Sequence, residues 1–235
     1  MALPQLNTPS YEMTVPSTGE AVKFRPFLVK EQKLLMIAQE TGTDKDMARA
    51  MTDIIKSCTD GAVKDVEKLP TFDIEYMFIQ IRGKSVGDNV DITVTCPDDG
   101  ETTVPITVNL SEIKVEGLEG HKKEIMITDT IGMRMKYPTI DGIVKYSAKN
   151  TKAVDLTFGV VKDCLECIFD ENEVYEDMSK KELDEFIESM NTEQFAKVQE
   201  FFDTMPKVRH IIKVTNPKTE VESDITIEGL QSFLG

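Results

Sequence analysis

The sequence predicts an α+β fold, a helical core with terminal β-hairpins and a β-rich insertion. Three observations lead there. Capped runs of helical period fill the stretches on either side of the middle, strictly alternating runs crowd between Ser85 and Tyr137, and further alternating runs flank turn residues near both ends. The helical halves are expected to pack on each other, giving a discontinuous core domain of residues 1–84 and 138–235 around an insertion of residues 85–137.

Tyr11 to Pro16 and Glu20 to Phe27 read as a hairpin, because Ser17-Thr18-Gly19 supplies a turn and Glu12-Met13-Thr14-Val15 alternates polar with apolar. A helix follows over Val29–Gln39 and ends near Gly42. Thr43 or Asp44 caps the next, with Met47, Met51, Ile54, Ile55 and Cys58 on one face and Gly61 at its close. Pro70-Thr71 opens a third helix. Its Phe72, Ile74, Met77, Phe78, Ile79 and Ile81 leave so little polar surface that it belongs at the centre of a core.

Gly83 and Gly87 mark a change of regime. Val90-Ile92-Val94-Cys96 and Val104-Ile106-Val108-Leu110 alternate with polar residues and meet across Pro97-Asp98-Asp99-Gly100, a hairpin that Pro105 places at a sheet edge. Ile113-Val115, Glu124-Thr128 and Gly132-Tyr137 are further strand-like pieces. Helices resume over Ile140-Ala148 and over Ala153 to Phe169, the latter with Leu156, Val160, Val161, Cys164 and Ile168 on its apolar face. Asp170 to Asp177 is acidic and reads as a mobile loop. Ser179-Lys180-Lys181-Glu182 is a capping box, in which hydroxyl and carboxylate satisfy backbone donors reciprocally, and it opens a helix containing Leu183, Phe186, Ile187 and Met190. Thr192-Glu193-Gln194 begins another, with Phe195, Val198, Phe202 and Met205 at near-helical spacing and Pro206 as its stop. Strands over Lys207–Thr215 and Glu220–Ile227 then enclose the turn Asn216-Pro217-Lys218-Thr219.

Composition narrows the function. Of 235 residues 42 are acidic and 27 basic, a formal charge of −15 that disfavours nucleic acid and anionic membrane surfaces as partners. There is no apolar run long enough to span a bilayer and no signal-peptide core at the N-terminus, so a cytoplasmic site of synthesis is expected. Four scattered cysteines, Cys58, Cys96, Cys164 and Cys167, predict free thiols in a reducing compartment.

No motif announces chemistry. Cys164-Leu165-Glu166-Cys167 has the spacing of a redox or zinc pair but lacks a preceding strand or a second ligand pair. Cys96-Pro97-Asp98-Asp99-Gly100 has the form of a zinc-ribbon knuckle with Asp99 where the second cysteine would stand, so an ordinary tight turn is expected. His121 and His210 have no nucleophile in a recognised local motif. Gly83-Lys84-Ser85 lacks the upstream glycine of a phosphate-binding loop. The acidic pairs Asp98-Asp99 and Asp184-Glu185 lack the alternation of a calcium loop and read as solvated carboxylates. The expectation is a non-enzymatic protein without catalytic residues, cofactor or metal.

Three stretches carry a family resemblance: "ALPQLNTPSYEMTVPSTGEAVKFRPFLVKEQKLLM" at the start, "LPTFDIEYMFIQIRGKSVG" over Leu69 to Gly87, and "FFDTMPKVRHIIKVTNPKTEVESDITIEGLQSFLG" at the end. Together they resemble the baseplate hub subunit family of T-even-like contractile-tailed bacteriophages. The resemblance implies a structural or assembly component of the phage tail baseplate hub. Such a protein would contact other phage tail or baseplate proteins, be located in the virion tail baseplate, and be assembled in the host cytoplasm. The alternative is a soluble assembly chaperone absent from the mature virion, for which the twelve methionines would supply an adaptable surface.

Leu230, Phe233 and Leu234 fall on one face after the last strand and are the candidate partner-binding residues. Complete burial of three such side chains is worth on the order of 1.5 to 3 kcal/mol each, enough to pin the hairpin or to anchor a neighbour. Phe233→Asp separates the two. Packing within the chain predicts a lower melting temperature of the isolated protein; docking on a neighbour predicts unchanged melting and failure to enter baseplates. Normal melting together with normal assembly would remove both roles.

Overall fold

The computed structural model describes residues 6–146 and 153–229. The fold is α+β, and its compact units are residues 1–66, 72–116 and 207–235 for the first, and 67–71 and 117–206 for the second. These boundaries differ from the expected core of 1–84 and 138–235 around an insertion of 85–137. The strands after Gly87 group with the N-terminal helices and the last hairpin, because β-pairing ties Lys114–Glu116 to the strand that begins at Lys207. The third helix and the helix from Ala153, expected to share one core, fall in different units.

In the first unit, β1 (Tyr11–Thr14) and β2 (Ala21–Phe24) form the expected antiparallel hairpin, burying Met13, Val15, Val22 and Phe24 on one face. Helix α1 (Val29–Thr41) stops at Gly42, whose φ of 65° is a left-handed cap that glycine adopts without strain. Helix α2 (Asp44–Cys58) is capped by the Thr43 hydroxyl and buries Met51, Ile54, Ile55 and Cys58. Helix α3 (Thr71–Val86) is the apolar centre that its composition predicts, with Phe72, Ile74, Met77, Phe78, Ile79 and Ile81 at most 1% exposed. It runs through Gly83, where a β-carbon would stand 3.0 Å from the Asp88 carboxylate.

Strands β3 (Asn89–Thr95) and β4 (Thr103–Asn109) pair alone, Val90 opposite Val108 and Ile92 opposite Ile106, with Pro105 on an edge as expected. β5 (Lys114–Glu116) joins the later hairpin of β10 (Lys207–Thr215) and β11 (Glu222–Glu228) in a sheet of order β11-β10-β5. The three hairpins of this unit share one turn. In Val15-Pro16-Ser17-Thr18-Gly19, Cys96-Pro97-Asp98-Asp99-Gly100 and Asn216-Pro217-Lys218-Thr219-Glu220, the fifth residue donates its N–H to the first carbonyl at 2.9, 3.0 and 2.9 Å. The fifth residue has a φ of 73°, 68° and 61° respectively, so each loop is a tight turn closed by a left-handed residue, with proline fixing the second position.

The second unit holds the sheet β6 (Glu124–Met126), β7 (Gly132–Met135), β8 (Leu165–Phe169) and β9 (Val174–Tyr175), antiparallel in that order. Around it lie α4 (Ile140–Tyr146), α5 (Ala153–Cys164), α6 (Lys180–Glu188) and α7 (Thr192–Thr204). Met133, Met135, Val161, Cys164, Leu165, Ile187, Val198 and Phe201 share its core. The Ser179–Glu182 capping box forms as read from the sequence, and a second one, Asn191–Gln194, starts α7. The expected helix over Ile140–Ala148 is met as far as Tyr146; the rest lies outside the described residues.

Two expectations fail here. The helix predicted over Ala153 to Phe169 ends at Cys164, and Leu165–Phe169 is a strand instead. Pairing with β7 (Arg134 with Cys167, Met135 with Leu165) buries residues on both faces of the segment, which outweighs the helical spacing of its apolar residues. The acidic segment Asp170–Asp177 is not an irregular loop throughout: Asp170 accepts the N–H groups of Asn172 and Glu173 at 2.8 and 2.9 Å, a turn that leads into β9.

At Gly132 a β-carbon would lie 2.3 Å from the Phe169 ring across the β7–β8 pair. Gly132→Ala is therefore expected to cost about 1 to 3 kcal/mol, and a further Phe169→Ala in the same chain should remove part of that cost. Additive losses in a thermal-unfolding double-mutant cycle would show that the ring is not the obstacle.

Candidate interaction surface

The residues of α1 are arranged inside out. Glu31 is 1% exposed and Ala38 is also buried, whereas on the opposite side Val29 is 81%, Met36 54% and Ile37 47% exposed. Positions 29, 33, 36 and 37 form one stripe at helical spacing, so this is a coherent apolar strip with Lys33 within it. Beside the start of the helix, Leu6, Phe27, Leu28, Val29, Gln32 and Val86 line a groove of about 790 Å³. Here Leu6 and Val86 are well exposed.

What orients the helix is an ion pair. Arg25, just past β2, donates to Glu31 at 2.9 Å, to the Ser57 carbonyl at 3.1 Å and to the Ser57 hydroxyl at 3.0 Å, while its own backbone N–H bonds the Cys58 carbonyl. The other Glu31 oxygen accepts the Leu28 N–H at 2.8 Å, and Ser57 donates its hydroxyl at 2.6 Å. Glu31 thus supplies one half of a capping box, its carboxylate taking the orphan Leu28 N–H, while its own N–H bonds the Leu28 carbonyl because Leu28 has no polar side chain to return the bond. Burial alone would raise the Glu31 carboxyl. The Arg25, Ser57 and Leu28 bonds outweigh it and hold the group at about 2.

The strip is also electrically unlike the rest of the chain. From Val29 to Gln39 the helix exposes Lys30 and Lys33 and no acid, since Glu31 is turned inward, although the whole chain carries −15. The next acid, Glu40, comes at the far end of the helix.

The sequence candidates fare differently. Leu230, Phe233 and Leu234 lie outside the described residues. Cys164 and Cys167 are buried free thiols, and burial pushes Cys164 up to about 12, which keeps it protonated at neutral pH and a poor nucleophile or ligand. Cys58 and Cys96 are free and buried as well. His121 sits between the Tyr137 hydroxyl and the Phe201 carbonyl, each at 3.1 Å, and packs against both rings. Asp184 pairs with Lys162, Asp99 bonds within its own hairpin tip, and Asp98 bonds across to Asn216 in the tip of the β10–β11 hairpin. Among the described residues no group of three or more His, Cys, Asp or Glu side chains could hold a metal ion, and no helix is long and apolar enough to cross a membrane. Sequence reasoning missed Arg25 and Glu31. Glu31 lies three positions after Leu28, the capping-box position without its hydroxyl partner, and that spacing was the available signal.

The described residues thus form an α+β scaffold of small hairpins and helices with an outward apolar strip on α1. The family model described as T4 bacteriophage base plate protein matches residues 8–235, and the chain belongs to that family. This makes it a bacteriophage protein of the tail baseplate, with other tail or baseplate proteins as its partners. No curated protein and no solved structure matches it.

The buried pair yields a pH-dependent expectation. Glu31 falls from an ordinary value of 4.5 to about 2 on folding, so its contribution is complete above 4.5 and is lost as pH drops toward 2. Glu31→Gln should cost about 3 kcal/mol at pH 7, the penalty for leaving Arg25 unpaired, and the gap to the unmodified chain should narrow below pH 4.5. Chemical denaturation at pH 7 and pH 3 checks this, and an equal gap at both would show that the ionised carboxylate is not the stabilising form.

Proposed function

We propose that this chain is a structural or assembly component of the hub region of a contractile-tail baseplate and acts by protein–protein contact rather than turnover. The observation that supports the reading is the outward apolar strip of α1, Val29, Met36 and Ile37, continued by Leu28 and Val86. Singly exposed apolar residues are ordinary; a continuous strip on a helix whose charged residue is turned inward is a docking face. Its partner is an apolar ridge that carries acidic side chains, because Lys30 flanks the strip and Lys33 stands within it, and such a partner would otherwise be repelled by a chain of −15. The apolar tail residues Leu230, Phe233 and Leu234 are proposed as a second contact with neighbouring baseplate chains. Assembly takes place in the host cytoplasm, and the chain stays in the finished particle.

Met36→Asp with Ile37→Asp in the phage-encoded protein is the direct test. Both side chains are already about half exposed, so the isolated variant should melt within about 0.5 kcal/mol of the parent yet be missing from purified baseplates in a mass-spectrometric inventory. Normal incorporation would remove α1 as the docking face. An unmodified protein found with assembly intermediates but absent from finished tails would instead identify a chaperone that leaves before maturation.

A further inference from the structure

Two of the three matching hairpin tips in the first unit meet. The Asp98 carboxylate, at the third position of the β3–β4 tip, accepts both bonds of the Asn216 amide at 3.0 Å and the Thr219 hydroxyl from the β10–β11 tip. Asn216 is 1% exposed, and its carbonyl oxygen accepts the Lys218 N–H at 2.9 Å. Asp99 accepts the N–H groups of Glu101 and Thr102 at 3.0 and 2.9 Å. Bonds from the Thr102 hydroxyl and backbone, with the Glu101 N–H and the Asn216 amide, hold its carboxyl far below the usual range. Cys96, the first residue of the same tip, is a buried free thiol.

Aligned by their shared turn, the tips read Cys96-Pro97-Asp98-Asp99 and Asn216-Pro217-Lys218-Thr219. Each has a polar side chain at its first and fourth positions, the x-x spacing by which paired cysteines grip tetrahedral zinc. Both turns are closed by the same bond from fifth N–H to first carbonyl, so the spacing is matched in three dimensions as well as in sequence. We propose that these tips form the framework of a four-ligand metal knuckle pair in which a hydrogen-bonded clip joins the two hairpins where a metal ion otherwise would. One of the four ligand positions, Cys96, is already a cysteine. Asp99 and Asn216 already accept backbone N–H bonds, a role that thiolate sulfurs would inherit. The clip is complete without metal because the Asp98 carboxylate bridges to both ligand positions of the facing tip.

The test is to restore the ligands. Asp99→Cys, Asn216→Cys and Thr219→Cys together, in the full chain, should bind one zinc at Zn–S distances of about 2.3 Å. Cobalt in its place should give the visible spectrum of a tetrahedral thiolate site. The thermal midpoint should rise with zinc and fall on chelation, and an added Cys96→Ser should abolish the tetrathiolate spectrum. The unmodified chain, titrated in parallel, should show none of this. A folded triple variant that takes up no cobalt, or whose uptake is indifferent to Cys96→Ser, overturns the proposal. If the triple variant folds neither with zinc nor without it, the single change Asn216→Cys decides. Cross-linking to Cys96 under mild oxidation supports the facing of first positions, and two free thiols in the folded variant refute it.

Discussion

The buried pair of Arg25 and Glu31 is the constraint on which the first unit's surface depends. A carboxylate held 1% exposed must stay with its guanidinium, and that fixes the rotation of α1 about its axis. Rolling the helix by half a turn would bury Val29, Met36 and Ile37, a gain on the order of 1.5 to 3 kcal/mol for each side chain fully covered. It would also strip Glu31 from Arg25, Ser57 and the Leu28 N–H at once, and breaking a buried pair costs about 3 to 5 kcal/mol before the lost hydrogen bonds are counted. The two totals are comparable, so the isolated chain gains little from its outward apolar strip. A neighbour that covers the strip gives both: the ion pair is kept and the apolar area is removed from water.

Electrostatics then decides which neighbour approaches. A chain of −15 repels acidic proteins over most of its surface, and screening confines that repulsion to about 8 Å at physiological ionic strength. Turning Glu31 inward leaves Lys30 and Lys33 as the charges a partner meets from Val29 to Gln39, with Glu40 only at the far end of α1. The same side chain that orients the helix therefore also determines the sign of its exposed face. Exposed charges of this sort act more on the rate and orientation of encounter than on the final affinity, which is what ordered assembly of a many-chain particle requires.

Much of the fold was legible in the sequence because its signals are local. The Ser179–Glu182 box, the Thr43 cap, the apolar circumference of α3 and the proline-bearing hairpin turns each need only a few neighbouring residues to be read. What failed was long-range. Leu165–Phe169 continues the helical apolar spacing of α5, and only pairing with β7, some thirty residues earlier, makes it a strand. The compact units differ from the expected boundaries for the same reason, since β5 pairs with β10, some ninety residues later in the chain. The candidate site was legible in pieces: α1 was placed to within two residues, but its composition does not tell which side faces inward. That depends on Arg25 reaching across to Ser57 on α2, a contact between residues 32 apart.

The hairpins raise a related problem of stability. β3–β4 is a two-stranded ribbon, and such ribbons are marginal in water unless something else holds them. One end is anchored by apolar burial, Val90, Val108 and Leu110 each being at most 6% exposed. The other end reaches out to its tip, and there the Asp98 clip to Asn216 and Thr219 does the holding. β1–β2 is treated alike: Asp73, fully buried on α3, accepts both the backbone N–H and the hydroxyl of Ser17 at the third position of its tip. In each case a carboxylate grips a turn whose backbone is already closed by its own hydrogen bond. The bond adds little net energy, about 1 to 3 kcal/mol for a charged acceptor, but a slipped register would leave a carboxylate or a buried amide unpaired. These contacts therefore select one register of each ribbon over its neighbours, and they leave the apolar residues of α1 free to serve a partner instead of the fold.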